Sequence, residues 1–407
     1  MNSGPARSAL KGTGGRFRLM ALLGWRMMFH DRFKLFGTLM GVVFAAVLIN
    51  QQLGVLMGLL QKNTMFVDNA SADVWIAPPS TEQFQSGRRI SIYTLQQARV
   101  LDGVAWAEPL LLGTATMQLP TGGGEAVSLI GTRAPRFAGG PWNVVAGDPQ
   151  SIRQADTLMF EDSQRDDFGG LNLGSVRELN GHRVVAGGFT WGLGPFGPPY
   201  AFAEFDTARE ILSVGPDETN FILVGVQPGA DPEDVARRLA ALFDGEYVGP
   251  GSPAGTVSGV SGPRVMTRPT FSRTIASALL RDQLGISFGT STMFGVIVGF
   301  VIVALSMFSA VVDNVREFGT LKAMGARTWD LAKLLFVQAV GYAFIGSTVG
   351  LFLVTRMAEG MRSPNLILVL PWWMYVGTFG FMTFLCIFAS SLALLRVRSV
   401  EPGMVFR

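Results

Sequence analysis

The chain has 407 residues, of which 48% are apolar and only 15% charged, and its formal net charge is +3. Soluble domains carry about a quarter of charged residues, so a wholly water-exposed protein is excluded, and so small a positive charge does not signal nucleic-acid binding. The single cysteine, Cys386, excludes an internal disulfide framework.

In chain order, residues 17–36 mix Leu19, Leu22, Leu23, Trp25, Met27, Met28 and Phe29 with Arg16, Arg18, Arg26 and Arg32. That pattern suits an amphipathic helix lying in a membrane plane, or an N-terminal extension of the first span. Residues Leu35 to Leu60 contain no charged side chain, and the same holds for Gln283 to Val312, Leu334 to Thr355 and Ser363 to Leu395. A hydrocarbon layer of about 30 Å needs about 20 apolar helical residues, and a Lys, Arg or Asp at its centre costs roughly 2.5–3.5 kcal/mol. The fold class expected is therefore membrane α-helical, with four transmembrane helices and a large α+β extracytoplasmic domain inserted between helices 1 and 2. The expected boundaries are 1–34 for a cytoplasmic amphipathic segment, 35–60 for helix 1 with a stalk extension, and 61–282 for the insert. Residues 283–312 then form a stalk and helix 2, 313–333 a cytoplasmic elbow, 334–355 helix 3, 363–395 helix 4 and 396–407 a cytoplasmic tail.

Orientation follows from charge. Arg7, Lys11, Arg16, Arg18, Arg26, Arg32 and Lys34 precede the first span, opposed only by Asp31. The positive-inside rule places this end in the cytoplasm. Arg316, Lys322, Arg327 and Lys333 between spans two and three, and Arg396, Arg398 and Arg407 after span four, fall on the same side, against Arg356 and Arg362 on the other. The first run is too long for a signal-peptide core and is read as an anchor. Asn50, Gln51 and Gln52 lie about 24 Å along the first helix from Leu35, toward its outer end, and call for no polar transport site. Gly37/Gly41, Gly54/Gly58, Gly295/Gly299 and Gly346/Gly350 have the G-x-x-x-G spacing that lets helix backbones approach. Trp372, Trp373 and Tyr375 fit an interfacial aromatic belt.

Within the insert, Thr94-x-x-Gln97 reads as a capping box opening a helix with Leu95, Ala98 and Leu101 on one face. Residues 117–120 and 126–130 flank Thr121-Gly122-Gly123-Gly124, a hairpin signature. Arg183 to Phe189 and Glu218 to Val226 read as strands, and Asp231 caps a helix begun by Pro232 with Val235, Leu239 and Leu242 on one face. Two lobes are expected, one from residues 70–135 with 218–270, the other from the segment between. Gly249 to Pro263, rich in Gly, Ser and Pro, reads as a loop.

Chemistry is sparse. No G-x-x-x-x-G-K-[ST] loop is present, so the chain carries no Walker A site. Neither His30 nor His182 has metal-ligand spacing, and no catalytic residue, cofactor site or metal site is expected. Gly192-Leu193-Gly194-Pro195-Phe196-Gly197 matches the dinucleotide fingerprint in letters, but Pro195, Pro198 and Pro199 forbid the helix that should hold a pyrophosphate. Trp191, Phe196 and Tyr200 instead mark an apolar loop that either packs on its own lobe or meets a partner.

The most specific segment is Asp313-Asn314-Val315-Arg316-Glu317-Phe318-Gly319-Thr320-Leu321-Lys322-Ala323-Met324-Gly325-Ala326, which prolongs span two and turns at Gly325 into the helix begun at Thr328. On residues alone it is a charged elbow. Its Arg316-Glu317-x-Gly319-x-Leu321-Lys322-Ala323-x-Gly325-Ala326 resembles the hallmark of the FtsX-like, or MacB-type, ABC transporter permeases. Glu317-Phe318-Gly319-Thr320-Leu321-Lys322-Ala323 is most similar to the DevC-like subgroup that lacks a fused ATPase. The resemblance extends to the four-span layout, Gly346-x-x-x-Gly350, Glu401-Pro402 with Phe406-Arg407, and the insert phrases at residues 69–75 and 225–231. Asp313-Asn314-Val315 stands where many relatives carry a Glu-Arg pair, and Gln338 where many carry Glu.

The resemblance implies that Arg316, Glu317, Gly319, Leu321, Lys322, Gly325 and Ala326 contact a separate cytoplasmic ABC ATPase, which binds ATP and Mg. It also implies a second permease copy as a homodimer, a periplasmic adaptor and an outer-membrane channel, in the inner membrane of a bacterium with both termini cytoplasmic. The implied function is export of a lipid, glycolipid or other periplasmic cargo by mechanotransmission. An FtsX-like signalling permease that regulates a cell-wall hydrolase or sensor kinase, and a lipoprotein-extraction permease, are the alternatives.

The orientation can be tested directly. A cysteine placed at Gly123 is expected to react with an impermeant thiol reagent added outside the cell, and one at Thr328 only after permeabilisation. The opposite labelling pattern overturns the assigned topology.

Overall fold

The computed structural model describes residues 22, 24–26, 28–29, 32–85, 88–194, 197–252, 262–313, 317, 319–320, 324, 326, 328–360 and 368–398. Elements before the sheet's centre are α1 (Arg32–Asn69), β1 (Val74–Ala77), β2 (Ile90–Ser91), α2 (Tyr93–Arg99), β3 (Val104–Gln118) and β4 (Gly124–Thr132). Then come β5 (Val144–Gly147), β6 (Thr157–Glu161), β7 (Val176–Leu179), β8 (His182–Thr190), β9 (Tyr200–Glu204) and α3 (Phe205–Ile211). Next are β10 (Glu218–Thr219), β11 (Phe221–Val226), α4 (Pro232–Leu242), β12 (Glu246–Val248) and β13 (Arg264–Thr267). The last are α5 (Arg268–Arg281), α6 (Gln283–Asp313), α7 (Thr328–Gly360) and α8 (Trp372–Arg398). They divide into two units, one of residues 1–57, 287–362 and 368–407, the other of 58–286 and 363–367.

In hydrocarbon every backbone N–H and C=O must be satisfied internally, which a helix does within one segment. The first unit is built on that rule. Four helices are long and apolar enough to cross a membrane, with windows at Leu35–Asn69, Gly285–Ser306, Trp329–Gly360 and Trp372–Leu392, and the chain is a multi-pass membrane protein. Val42, Ala45, Ala46 and Ile49 of α1 recur at helical spacing and are buried with Val303, Ala339, Ala343, Met382, Cys386 and Ala389. Large apolar side chains such as Phe44, Phe294, Phe352 and Phe384 point outward, as lipid-facing positions do.

Polar side chains in this core are used as interhelical bonds. Asn50 is fully buried, donates to the Ala46 carbonyl at 2.7 Å, and accepts from the Thr378 hydroxyl of α8 at 2.7 Å. Thr355 of α7 shares a hydrogen bond with Tyr375 of α8 at 3.3 Å. Near the start of the chain, Gln338 of α7 donates to the Gly24 carbonyl at 3.3 Å, and Trp25 and Met28 lie over Gly341. Residues 1–21, 23, 27, 30 and 31 of the expected amphipathic segment lie outside the described residues.

The second unit is a sheet flanked by helices. Among the described residues its strand order is β12-β13-β1-β11-β3-β4-β9-β6-β8-β5, with β7 joining β3 and β8, while β2 and β10 pair separately. The 15-residue β3 is the axis of this sheet, since it pairs with β11, β4 and β7. Its hairpin to β4 turns at Gly122 and Gly123, at φ of +86° and +87°, where a side chain would be strained. The hydrogen-bonded sheet therefore runs unbroken through the two segments that the sequence divides into lobes.

Three apolar clusters hold this unit. Val74, Ile76, Ala107, Ile222, Val224 and Val265 meet α2 and α4 on one side. The alternate residues Trp75, Ala77, Leu223 and Met266 join Phe66 and Val67 of α1 and Phe271 of α5 in a second cluster rich in aromatic rings. A third collects Leu111, Ala115, Leu129, Leu158, Phe160, Val184 and Phe189 with Phe205 and Ile211 of α3.

Local expectations meet the structure unevenly. Asp231 caps α4 by accepting from the Glu233 N–H at 3.2 Å, and Val235 and Leu239 are buried. Leu242 is not: it is 46% exposed at the final turn, where Phe243 packs against the cluster instead. The helix α2 begins one residue before Thr94, so the capping box does not form; Ile92 is its N-cap, held by donating its N–H to the Asp217 carbonyl at 2.8 Å. Of the predicted loop at Gly249 to Pro263, residues 253–261 lie outside the described residues.

One buried ion pair locks the end of the sheet. Arg264, 1% exposed, forks onto Glu246 at 2.8 and 3.1 Å and gives a third bond to the Thr81 carbonyl at 2.9 Å. Removing one partner of such a pair costs about 3–5 kcal/mol because the other charge is left behind. Arg264→Met is therefore expected to destabilise the insert by about 3 kcal/mol, read as faster amide hydrogen exchange in β12, β13 and β1. Unaltered exchange there overturns the assignment of this pair as a lock.

Candidate functional site

The elbow between α6 and α7 is the segment singled out by the sequence, and only part of it is described. Arg316, Leu321, Lys322 and Gly325 lie outside the described residues. Glu317 is exposed and helical, and its carbonyl accepts from the Thr320 hydroxyl at 2.8 Å; Gly319 is buried and Ala326 half-buried. Met324, whose N–H donates to the Thr320 carbonyl at 3.0 Å, is 75% exposed, and Trp329 in the first turn of α7 is 76% exposed. Asp330, also in that turn, is buried beside Lys333 at 3.6 Å, and a carboxylate there is favoured by the positive end of the helix dipole. Met324 and Trp329 escaped the sequence reading, although two large apolar residues in so charged a stretch were a visible signal.

The helix-packing glycines separate into two groups. A Cβ added at Gly346 would collide with Val42 of α1, and one at Gly350 would lie 2.7 Å from Ala46 Cβ and 3.2 Å from the Val43 carbonyl oxygen. At Gly295 it would meet Leu48 at 3.1 Å, and at Gly299 Ile49 at 3.1 Å; at Gly41 it would collide with Ser306. Gly37 stands apart, with nothing within 4 Å. Thus α6 and α7 both approach α1 at glycine, and the α1 side chains closest to those glycines include Val42, Ala46, Leu48 and Ile49. Such contacts replace the hydrophobic drive that helices lack in lipid.

An apolar groove of about 290 Å³ lies in the same unit, lined by Trp25, Phe336, Val337, Val340, Gly341 and Phe344. It offers no polar group for orienting a charged substrate. Among the described residues no cluster of His, Cys, Asp or Glu is arranged to hold a metal ion.

The apolar loop of the insert is corrected in one respect. Trp191 is 45% exposed and Phe196 lies outside the described residues, but Tyr200 is no partner-facing residue. It is 2% exposed in β9, paired opposite Ser128, with its ring 5.7 Å from that of Phe66. Burial pushes its hydroxyl's pKa up. The Pro-rich stretch suggested a loop throughout, but the strand begins at Tyr200.

Residues 290–402 match the family model described as FtsX-like permease C-terminal. This part of the chain is similar to the C-terminal part of FtsX-like permeases. The chain is also similar to an uncharacterised ABC transporter permease of Methanocaldococcus jannaschii, with 26% identity over 147 residues. That match covers 34% of this chain and spans only 32% of the relative's length. Among solved structures, the periplasmic region of MacB from Actinobacillus actinomycetemcomitans is 11% identical at a TM-score of 0.36, covering 52% of this chain and 97% of that one. The extracellular domain of the noncanonic ABC-type transporter YknZ from Gram-positive bacteria is 13% identical at a TM-score of 0.31, covering 42% of this chain and 94% of that one.

The glycine contacts make a paired prediction. Gly346→Leu, which forces a side chain into α1, is expected to destabilise the folded permease by about 1–3 kcal/mol, while Gly37→Leu leaves it unchanged. Thermal unfolding in detergent reads both; equal effects would show that backbone approach at Gly346 is not what holds α7 to α1.

Proposed function

We propose that this chain is the transmembrane subunit of an ATP-driven transporter of the MacB type, in which hydrolysis on a separate cytoplasmic ATPase drives motion of the insert. The observation that carries the reading is the FtsX-like match at residues 290–402, which includes the whole elbow. These 407 residues hold no Walker A loop, and in this reading a separate ATPase subunit supplies the nucleotide chemistry. Exposed Met324 and Trp329, on the same elbow segment as exposed Glu317, supply what a protein contact uses, namely apolar anchors and a charge.

In this reading Arg316, Glu317, Gly319, Leu321, Lys322, Gly325 and Ala326 seat in the ATPase. Two permease copies face two ATPase subunits in the inner membrane of a bacterium, with both termini in the cytoplasm. The exported cargo is a lipid, a glycolipid or another periplasmic compound, passed through a periplasmic adaptor and an outer-membrane channel. Support for motion without a charged pathway comes from the spans themselves, whose buried polar side chains Asn50 and Thr378 are bonded to each other.

The test is coupling. In proteoliposomes holding the permease and its ATPase, Gly325→Pro is expected to abolish permease-stimulated ATP hydrolysis, because proline cannot take a helix-ending turn conformation open to glycine. Trp329→Ala is expected to weaken stimulation about tenfold. Normal stimulation in both correctly inserted variants would reduce the elbow to a turn between spans.

A further inference from the structure

The last turns of α1 place Leu59, Lys62 and Phe66 at helical spacing on one buried face of the insert, which Ala70 continues just past the helix end. Three of the four are apolar. Lys62 is 3% exposed, yet its ammonium is not stranded: Nζ donates to the Gly192 carbonyl at 2.8 Å and to the Gly194 carbonyl at 3.1 Å. On the same loop, Glu161 at the end of β6 is 1% exposed. Its carboxylate accepts from the N–H of Gly192, from the N–H of Leu193 at 3.2 Å and from the Thr190 hydroxyl at 3.3 Å. Burial pushes the Glu161 pKa up, and these bonds, with one from Ser163, oppose that rise.

Two opposite charges thus take up the peptide groups of residues 192–194, where no strand pairing does. Gly192 has φ of +75°, with nothing near the position a Cβ would take. Leu193 is held inside the cluster that includes Phe66, while Trp191 remains outside, tied to Asn143 by a bond from its N–H to the Asn143 carbonyl at 3.1 Å. A surface loop closed only for stability would not need a buried lysine and glutamate, since removing two ions from water offsets most of what their attraction returns. Such a pair instead gives an all-or-none arrangement. Turning α1 by one residue, about 100°, carries Nζ away from both carbonyls together.

We infer that Lys62 and Glu161 form a latch through which helix α1 sets the conformation of the loop at residues 190–194 and thereby the presentation of Trp191. The inference does not depend on which partner or cargo the permease serves. Its signature is a loop that loosens by itself while the sheet behind it stays intact.

Hydrogen exchange on the full-length protein in lipid nanodiscs tests this. In Lys62→Met, the Gly192 and Leu193 amides are expected to exchange at least tenfold faster, with β3 unchanged. The double variant Lys62→Met/Glu161→Leu removes both charges, so it folds without an unpaired buried ion and is expected to show the same loosened loop. Retention of the original protection at Gly192 and Leu193 in the double variant overturns the latch. Acceleration spread equally over β3, in either variant, also overturns it by showing that the pair is part of the general core.

Discussion

Helix α1 has to satisfy two different solvents with one set of backbone hydrogen bonds. Between residues 42 and 49 its inward face is Val42, Ala45, Ala46 and Ile49, and glycines of α6 and α7 close onto it. Hydrocarbon gives no reward for burying apolar groups against each other, so contact there depends on close packing and on bonds such as Asn50 to Thr378. Between residues 59 and 70 the inward face carries Phe66 and Val67, which join an aromatic cluster of the insert. There the reward is the ordinary removal of apolar surface from water, about 25 cal/mol per Å². The change from small to aromatic residues along one helix follows from that change of driving force.

Strand β3 does for the sheet what α1 does for the cores. Because its 15 residues exceed the length of each neighbour, β11 pairs with the first part, β4 with the second and β7 with the end. At β1 the sheet is buried on both faces. All four residues of β1 are buried, with Val74 and Ile76 facing one cluster and Trp75 and Ala77 the other. Trp75 lies among Phe66, Phe84, Phe221 and Phe271 at centroid separations of 5.4–6.3 Å, in the edge-on and tilted geometries that aromatic quadrupoles favour.

The same features explain what could be read in the sequence. Uncharged runs located all four helices, and the Gly-rich turn at residues 122–123 located the β3–β4 hairpin, because each signal is local and strong. Strand β1 was invisible as a strand: Val-Trp-Ile-Ala has no polar alternation to show, since both its faces are covered. The uncharged run puts the end of the first helix at Leu60, just short of Lys62. The helix continues to Asn69 because Lys62 finds its partners across 130 and 132 residues of chain, on a loop whose backbone carbonyls carry no sequence signature. Tyr200 reads as loop for the converse reason, as the prolines before it mask the start of a strand.

The two buried charge arrangements of the second unit follow separate rules. Arg264 with Glu246 is a fork of parallel bonds between neighbouring strands, and its geometry leaves little freedom for either side chain. Lys62 and Glu161 differ, since each bonds to peptide groups of the same loop and the loop stands between them. A point charge on a flexible stem tolerates rotation of its donors but not withdrawal of its stem. The first arrangement resists change in the sheet, whereas the second makes the conformation of one glycine-rich loop conditional on the position of a helix. In a chain whose remaining charges are mostly exposed, a lysine buried on the membrane-derived helix is therefore better placed to report movement than to add stability.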